Sequence, residues 1–531
     1  MSSSVIAPRV LATTLLLIGW GAAPANSGPS FLVVGPATPA PDPGPYEHVT
    51  ITSDSLAPSF DSLKSFLLEN LSLHDTIVLV DSVYARESGR DNPEKLRNFI
   101  RYAYQNWQTS YVLLGGDVEH VPTRITSVGL NPSGPWYNSI AADQYYSCLD
   151  GTWDADSDNV FGEMHDSVDL APEVYVGRAS VSTVEEADRF VTKTLTYSRG
   201  GAPRREVFLS GFDIDTFASR LTECEQTMEY FDSAYIVSPF TCAKVYDSHG
   251  GNHLDSVLYY LNQGFHYCIY ADHGNPDMLG VGSVRHGGIL FNRDFTGLTN
   301  GFDKLTVFSS IACLIGGFDY YEGDCIMEAF VNAPAGGGVA AMTNSRFGWY
   351  TPGENPQLSR SSAFVEKFVE RIFGNGADTA VAREFILGKA DVIGPSVEDT
   401  VYRWCMYTLN LLGEPALKMT SRDGIEEQPV AGPRSRRRGL TVRPAVFSRS
   451  SNIEYELGTR TSVALEVHDA TGRCVRTISS GRLSPGRHVA IWDGRTDLGR
   501  EAPAGVYVIA LKSDGGVSTR KVVRCEGKEQ P

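Results

Sequence analysis

Between residues 47 and 418 short apolar runs alternate with longer segments whose apolar residues recur at helical spacing. Residues 76–80 read as a strand, a β-branched run bounded by polar residues. Asn92 caps a helix with Pro93 at its first position, where an N–H would be unpaired anyway; Leu96, Phe99, Ile100, Ala103 and Trp107 share one face. Residues 111–114 form the next strand, closed by Gly115-Gly116-Asp117. Ser182-Thr183-Val184-Glu185 is a capping box that opens a helix running to residue 197. Strands are expected again at 206–210, 265–271, 305–312 and 338–343. Helices are expected at 216–231, 254–261, 326–331, 363–373, 379–387 and 401–411. This alternation predicts an α/β fold: mainly parallel sheets flanked by helices on both faces.

Beyond residue 440 the period changes to two. Val463, Leu465 and Val467 alternate with polar residues, as do Val506, Val508 and Ala510. Turn signals such as Asp469-Ala470-Thr471-Gly472 separate the runs, so 441–527 is expected to be a small all-β sandwich. The α/β part divides into 47–200 and a catalytic portion at 201–422. Residues 423–440 lose all periodicity and carry Arg434 to Arg438, a basic linker.

At the other end, Arg9, an apolar run at 10–20 and Ala23-Pro24-Ala25 have the form of a signal peptide over 1–25. The run is too short to span a bilayer. A proline-rich linker fills 26–46. These features predict a secreted or cell-surface protein.

The 531-residue chain has a net charge of −17, which argues against nucleic acid as a partner. Nine cysteines, an odd number, leave at least one thiol unpaired in an exported protein. None is spaced for zinc; sequence does not give the pairings, though Cys474 and Cys525 share the terminal domain, where a bridge is possible. Nothing calls for an organic cofactor.

Two strands end on reactive side chains. The run 265–271 stops at Asp272-His273-Gly274, and 305–312 stops at Cys313, followed by Gly316-Gly317. Ligands bind at the carboxyl ends of strands in open α/β sheets. There an imidazole and a thiol can form an ion pair that generates a thiolate nucleophile. Taken singly, a buried cysteine or histidine is more often structural. Here both residues stand past strand ends, beside glycines. Main-chain N–H groups of Gly274 and Cys313 would stabilise an oxyanion, and Trp349, at the end of the next strand, would wall a substrate pocket or pack in the core.

Residues 150–163 carry Asp154, Asp156 and Asp158 at alternate positions, then Glu163. Such carboxylates repel one another unless a hard cation lies among them. With the Val160 carbonyl they would suit calcium. The spacing is not that of an EF-hand, and a solvated acidic turn is the alternative.

Tyr270 to Gly274 and Ile311 to Phe318 resemble the histidine and cysteine motifs of the gingipain family of cysteine endopeptidases. Further similar landmarks are Tyr111 to Asp117, Val174 to Arg178, Thr343 to Trp349 and Leu411 to Pro415, all in family order. Ile315 departs from the asparagine of gingipains proper. The resemblance implies a caspase-like fold, a Cys313–His273 dyad, protein or peptide substrates and bound calcium. It also implies an acid that orients the histidine. Asp213 is preferred to Asp272, because neighbours on a strand point opposite ways. Gingipains proper cut after Arg or Lys above an acidic pocket floor, for which Asp215, Glu223 and Glu225 stand in the matching region. Residues 488–494 and 503–507 resemble the immunoglobulin-like domain of flagellar hook-capping proteins, which suggests attachment to a cell surface or to secretion machinery. The expected activity is hydrolysis by a secreted cysteine endopeptidase. A transpeptidase or ligase using the same dyad and a non-catalytic adhesion protein are the alternatives.

Overall fold

The computed structural model describes residues 44–132, 134–200, 204–212, 222–282, 287–350, 360–374, 380–419 and 440–524, apart from 444–445, 448–449, 458–459, 470–472, 485, 498, 504 and 514–515. The expected signal peptide, most of both linkers, Asp213, Asp215 and Cys525 lie outside the described residues. Within them no helix is long and apolar enough to cross a membrane. The chain divides into two compact units, residues 1–424 and 425–531.

The first unit is built on one ten-stranded sheet. Its strands are β1 (His48–Thr52), β2 (Asp75–Leu79), β3 (Tyr111–Gly115), β4 (Tyr175–Ala179), β5 (Glu206–Gly211), β6 (Thr241–Tyr246), β7 (Tyr267–Ala271), β8 (Thr306–Ser310), β9 (Gly338–Asn344) and β10 (Leu409–Gly413). Their order across the sheet is β2-β1-β3-β4-β10-β9-β8-β7-β5-β6. All neighbours are parallel except β9 and β10. Two parallel blocks of opposite direction therefore meet at that junction, and the sheet is continuous across residues 47–200 and 201–422.

Both faces are covered, as parallel sheets require. Val207, Leu209, Tyr267, Ile269 and Val307 pack on one face with Met228, Phe368 and Trp404 from helices Glu223–Ala234, Arg360–Gly374 and Thr400–Thr408. Phe208, Cys268, Tyr270 and Phe308, one residue out of phase, face helices His253–Gln263 and Ile326–Val331. Each such buried large side chain contributes about 1.5–3 kcal/mol.

Several elements shift from expectation. The N-cap of helix Asn92–Trp107 is Asp91, whose carboxylate accepts from Glu94 N–H. The capping box at Val184–Arg199 is Thr183 with Glu186, one residue later than expected. The helix expected over 401–411 ends at Thr408, and Leu409–Gly413 is strand β10. A short apolar run of this kind reads equally as helix or buried strand. Sheet pairing decides it, because β10 fills the gap between β4 and β9. The β6 edge strand and a three-stranded ribbon, Gly274–Asn275, Met278–Val281 and Gly288–Phe291, were not expected.

The second unit packs a three-stranded sheet (Thr441–Arg443, Ser451–Leu457, Gly486–Trp492) with a five-stranded one that includes Thr461–Asp469 and Gly505–Ser513. Val463, Leu465 and Val467 are buried as the alternation predicts. In Gly505–Ser513 the phase is the opposite of the expected one: Tyr507, Ile509 and Leu511 form the core. Both phases are apolar there, and the larger side chains take the interior. None of the eight described cysteines is joined to another in a disulfide.

Candidate active site

Parallel neighbours β7 and β8 place Tyr270 opposite Ser310. His273 and Cys313 each stand three residues further along, so the register brings the loops that carry them to the same end of the sheet. At Gly274 a β-carbon would lie 2.5 Å from the Cys313 carbonyl oxygen and 2.6 Å from Ile315 Cγ2. Only glycine permits this approach. His273 is exposed and Cys313 half-buried.

The cysteine turn is held by the strand beside it. Asn344 Nδ2 donates to the Ile311 and Ala312 carbonyls, both at 3.1 Å. Leu314 N–H donates to the Arg346 carbonyl (2.8 Å) and Gly316 N–H to that of Asn344 (3.0 Å). A β-carbon at Gly348 would stand 2.1 Å from the Ile311 carbonyl oxygen. Leu314 adopts φ of 65°, a left-handed conformation that is strained for a leucine. Strain directly after the candidate nucleophile fixes the angle at which Cys313 leaves its strand. Phe318 packs beneath the Arg178 guanidinium (4.9 Å), which pairs with Asp143 at 2.7 Å and donates to the Gly116 carbonyl at 2.9 Å. Three of the sequence landmarks thus converge in one buried cluster supporting this turn.

The Cys313 thiol donates to the Gly348 carbonyl at 3.6 Å, and burial pushes its pKa up. Burial at this position works against the thiolate form of Cys313. Asp272 is engaged by main-chain donors on both sides. Its carboxylate accepts from His273 N–H (2.5 Å) and Gly282 N–H (2.7 Å), clamping the ribbon that follows. Burial raises its pKa to about 6 against the opposing effect of those two bonds. A cavity of about 410 Å³ opens beside this ribbon, lined by His273, Gly274, Met278, Gly280 and Ile289 among others.

Trp349 follows Gly348 and is half-buried. Its N–H donates to Ser361 Oγ (3.0 Å), its ring meets Trp404 edge-on at 6.2 Å, and its indole nitrogen is buried without a partner. Glu225 is buried at the start of its helix and accepts from Ser248 N–H at 2.7 Å.

In the acidic loop one oxygen each from Asp154, Asp156 and Asp158 lies within 4.8 Å of the others. Glu163 Oε2 is buried with no hydrogen-bond partner. Burial, opposed by His165 and reinforced by Asp158, Asp166 and Asp156, raises the Glu163 pKa. Two basic side chains already touch the group: Arg90 pairs with Asp154, and His165 Nε2 lies 3.0 Å from Asp156 and 3.5 Å from Glu163. Asp166, not singled out in the sequence, accepts from Ala155, Gly162 and Glu163 N–H and shapes the loop. The Gly348 carbonyl and Trp136 were likewise missed, one a backbone atom and the other distant in sequence.

The model of peptidase family C25 matches residues 42–420, and that of the FlgD Ig-like domain matches 447–516. No curated protein sequence matches the chain. Among solved structures, the Arg-specific cysteine proteinase gingipain R (RgpB) aligns over 91% of this chain and 98% of its own, with 16% identity and a TM-score of 0.53. The complex of Porphyromonas gingivalis RgpB pro- and mature domains aligns over 90% of this chain and 100% of the other, with 16% identity and a TM-score of 0.52. These likenesses establish a gingipain-type fold.

Proposed function

The chain belongs to peptidase family C25, and from that premise we propose that it is an exported cysteine endopeptidase acting through Cys313 and His273. The observation that carries the dyad is the contact of Gly274 with the Cys313 carbonyl, which holds the two motifs together.

His273 would remove the Cys313 proton as the sulfur attacks the scissile carbonyl carbon, giving a tetrahedral oxyanion and an imidazolium. The N–H groups of Gly274 and Cys313 would receive the oxyanion. Its collapse expels the amine, which takes the proton from His273, and leaves a thioester. Water, deprotonated by His273, then attacks the thioester to release the acid and restore the thiol. Asp213 would orient His273, and Trp349 would flank the side chain before the cut. The signal-peptide pattern at 1–25 supports export, and the C-terminal sandwich would supply attachment to a surface or to secretion machinery.

Calcium would be held by Asp154, Asp156, Asp158, the Val160 carbonyl and Glu163. The all-oxygen donor set and the buried Glu163 Oε2, which has an ion-pair contact with His165 but no hydrogen bond, fit a hard cation. It would neutralise the loop and stiffen it.

Kinetics of Cys313→Ala, His273→Ala and the double variant on a peptide library test the reading. Each single change should remove nearly all cleavage, and the double little more, because the two groups act as a unit. Near-normal cleavage by either single variant would overturn it.

A further inference from the structure

Beyond the ribbon that follows His273 lies a second cleft, of about 250 Å³, whose walls come from three separate parts of the chain. Trp136 and Tyr137 come from the first half of the sheet unit, Asn275 to Met278 from the histidine ribbon, and Tyr320 and Tyr321 from the segment after Cys313. Asn275 and Met278 also line the cavity containing His273, so the two spaces flank one ribbon.

The aromatic wall is fixed before any ligand arrives. The buried Arg346 guanidinium stacks on the Trp136 ring at 4.1 Å, and its Nε donates to the Trp136 carbonyl at 3.0 Å. Asp319 holds that guanidinium in place through paired bonds of 2.7 and 2.5 Å. Tyr320 packs on Trp136 with ring centres 5.5 Å apart, and Tyr137 stacks on Phe347 at 5.4 Å. Trp136 also abuts the cysteine turn, 3.6 Å from where a β-carbon at Gly317 would stand. Against this rigid wall Tyr321 is left 74% exposed, an unusual state for a tyrosine beside other rings. Exposed aromatic surface of this kind marks a binding site. The rim is acidic: Asp277 lines the cleft, and Glu322 accepts from the Tyr320 hydroxyl at 2.7 Å.

We infer that this cleft is a second specificity subsite. It takes a bulky aromatic or aliphatic side chain of the substrate, a few residues from the scissile bond and separate from the pocket beside Trp349. This rests on the peptidase reading. Trp136, Tyr320 and Tyr321 supply apolar faces that desolvate such a side chain, while Asp277 and Glu322 repel an acidic one.

The test compares two otherwise identical peptides, one with Phe and one with Ala at the position that library cleavage shows to be selective. The wild type should prefer Phe by about tenfold or more in kcat/KM. Tyr321→Ala and Trp136→Ala should each bring that ratio close to one. Tyr321 is mostly exposed, so its variant keeps the test valid if Trp136→Ala fails to fold. An unchanged ratio in Tyr321→Ala, or a library with no aromatic or aliphatic selection away from the cut, overturns the inference. A wild type that cleaves nothing removes the peptidase reading instead. Dissociation constants of the two peptides for Cys313→Ala protein, with and without Tyr321→Ala, then decide the cleft independently.

Discussion

Gly274 approaches the Cys313 carbonyl so closely that a β-carbon there would stand 2.5 Å from its oxygen. The contact joins the loop after β7 to the turn after β8, so histidine and cysteine motifs cannot move independently. Gly274→Ala must push them apart, and the Ile315 methyl at 2.6 Å blocks escape to one side. Stability should fall by about 1–3 kcal/mol, as in other overpacked sites. Activity should fall by about 100-fold, because a displacement on the order of 1 Å spoils the attack geometry. Thermal denaturation and kcat/KM measured on one preparation check both; a fully active variant would separate the contact from catalysis.

The Cys313 thiol rests on the Gly348 carbonyl, with its pKa raised by burial. Thiolate in the free enzyme should therefore appear only above the ordinary thiol range. Alkylation of Cys313 by iodoacetamide, followed by mass spectrometry across pH, should show its half-point on the alkaline side of an unburied cysteine. A preformed thiolate–imidazolium pair predicts the reverse, with reactivity persisting well below neutral pH. Proton transfer to His273 during attack, rather than before it, is the mechanism that the burial favours.

The acidic loop makes a prediction independent of catalysis. If calcium lies among Asp154, Asp156, Asp158 and Glu163, a chelator should lower the melting temperature and calcium should restore it. The linkage amounts to about 2.7 kcal/mol at a hundredfold excess over Kd. Magnesium, which demands tight octahedral geometry, should substitute poorly. A combined Asp156→Asn and Asp158→Asn variant should lose the calcium response. If the wild type melts identically with and without chelator, Arg90 and His165 already neutralise the loop.

The positions of His273 and Cys313 just past strand ends were legible because such ends are marked locally, by an apolar run that stops near a glycine. The supports of the site were not. Arg346 carries Trp136 across 210 positions of sequence, and Gly348 acts through a carbonyl that any residue possesses. Strand β10 was hidden for a different reason: Leu409 to Gly413 is apolar enough for either a helix or a buried strand, and only its two neighbours in the sheet decide. The burial that opposes a thiolate at Cys313 is likewise something that sequence does not report for a single side chain.

Glu414 belonged to a landmark whose purpose the sequence did not explain. The structure shows the chain leaving β10 at Gly413 and crossing close over Gly177, which brings the Glu414 carboxylate to His48. His48 Nδ1 meets Asp75 Oδ1 at 2.8 Å and Nε2 meets Glu414 Oε1 at 3.0 Å, with all three side chains buried. Burial alone would lower the His48 pKa, but the Glu414 and Asp75 carboxylates outweigh it and raise it to about 10. The folded state thus binds a proton more tightly than the unfolded chain, whose histidine titrates near 6.5. The stabilisation is present in full below pH 6.5 and is lost as pH rises toward 10. At pH 6, His48→Gln should destabilise by about 3–5 kcal/mol, the usual cost of leaving buried charges uncompensated. The gap between variant and wild type should narrow through pH 8 and be smallest at pH 10. Thermal melts at these three values decide the matter: a gap that stays constant would mean that His48 is held by packing and not by its charge.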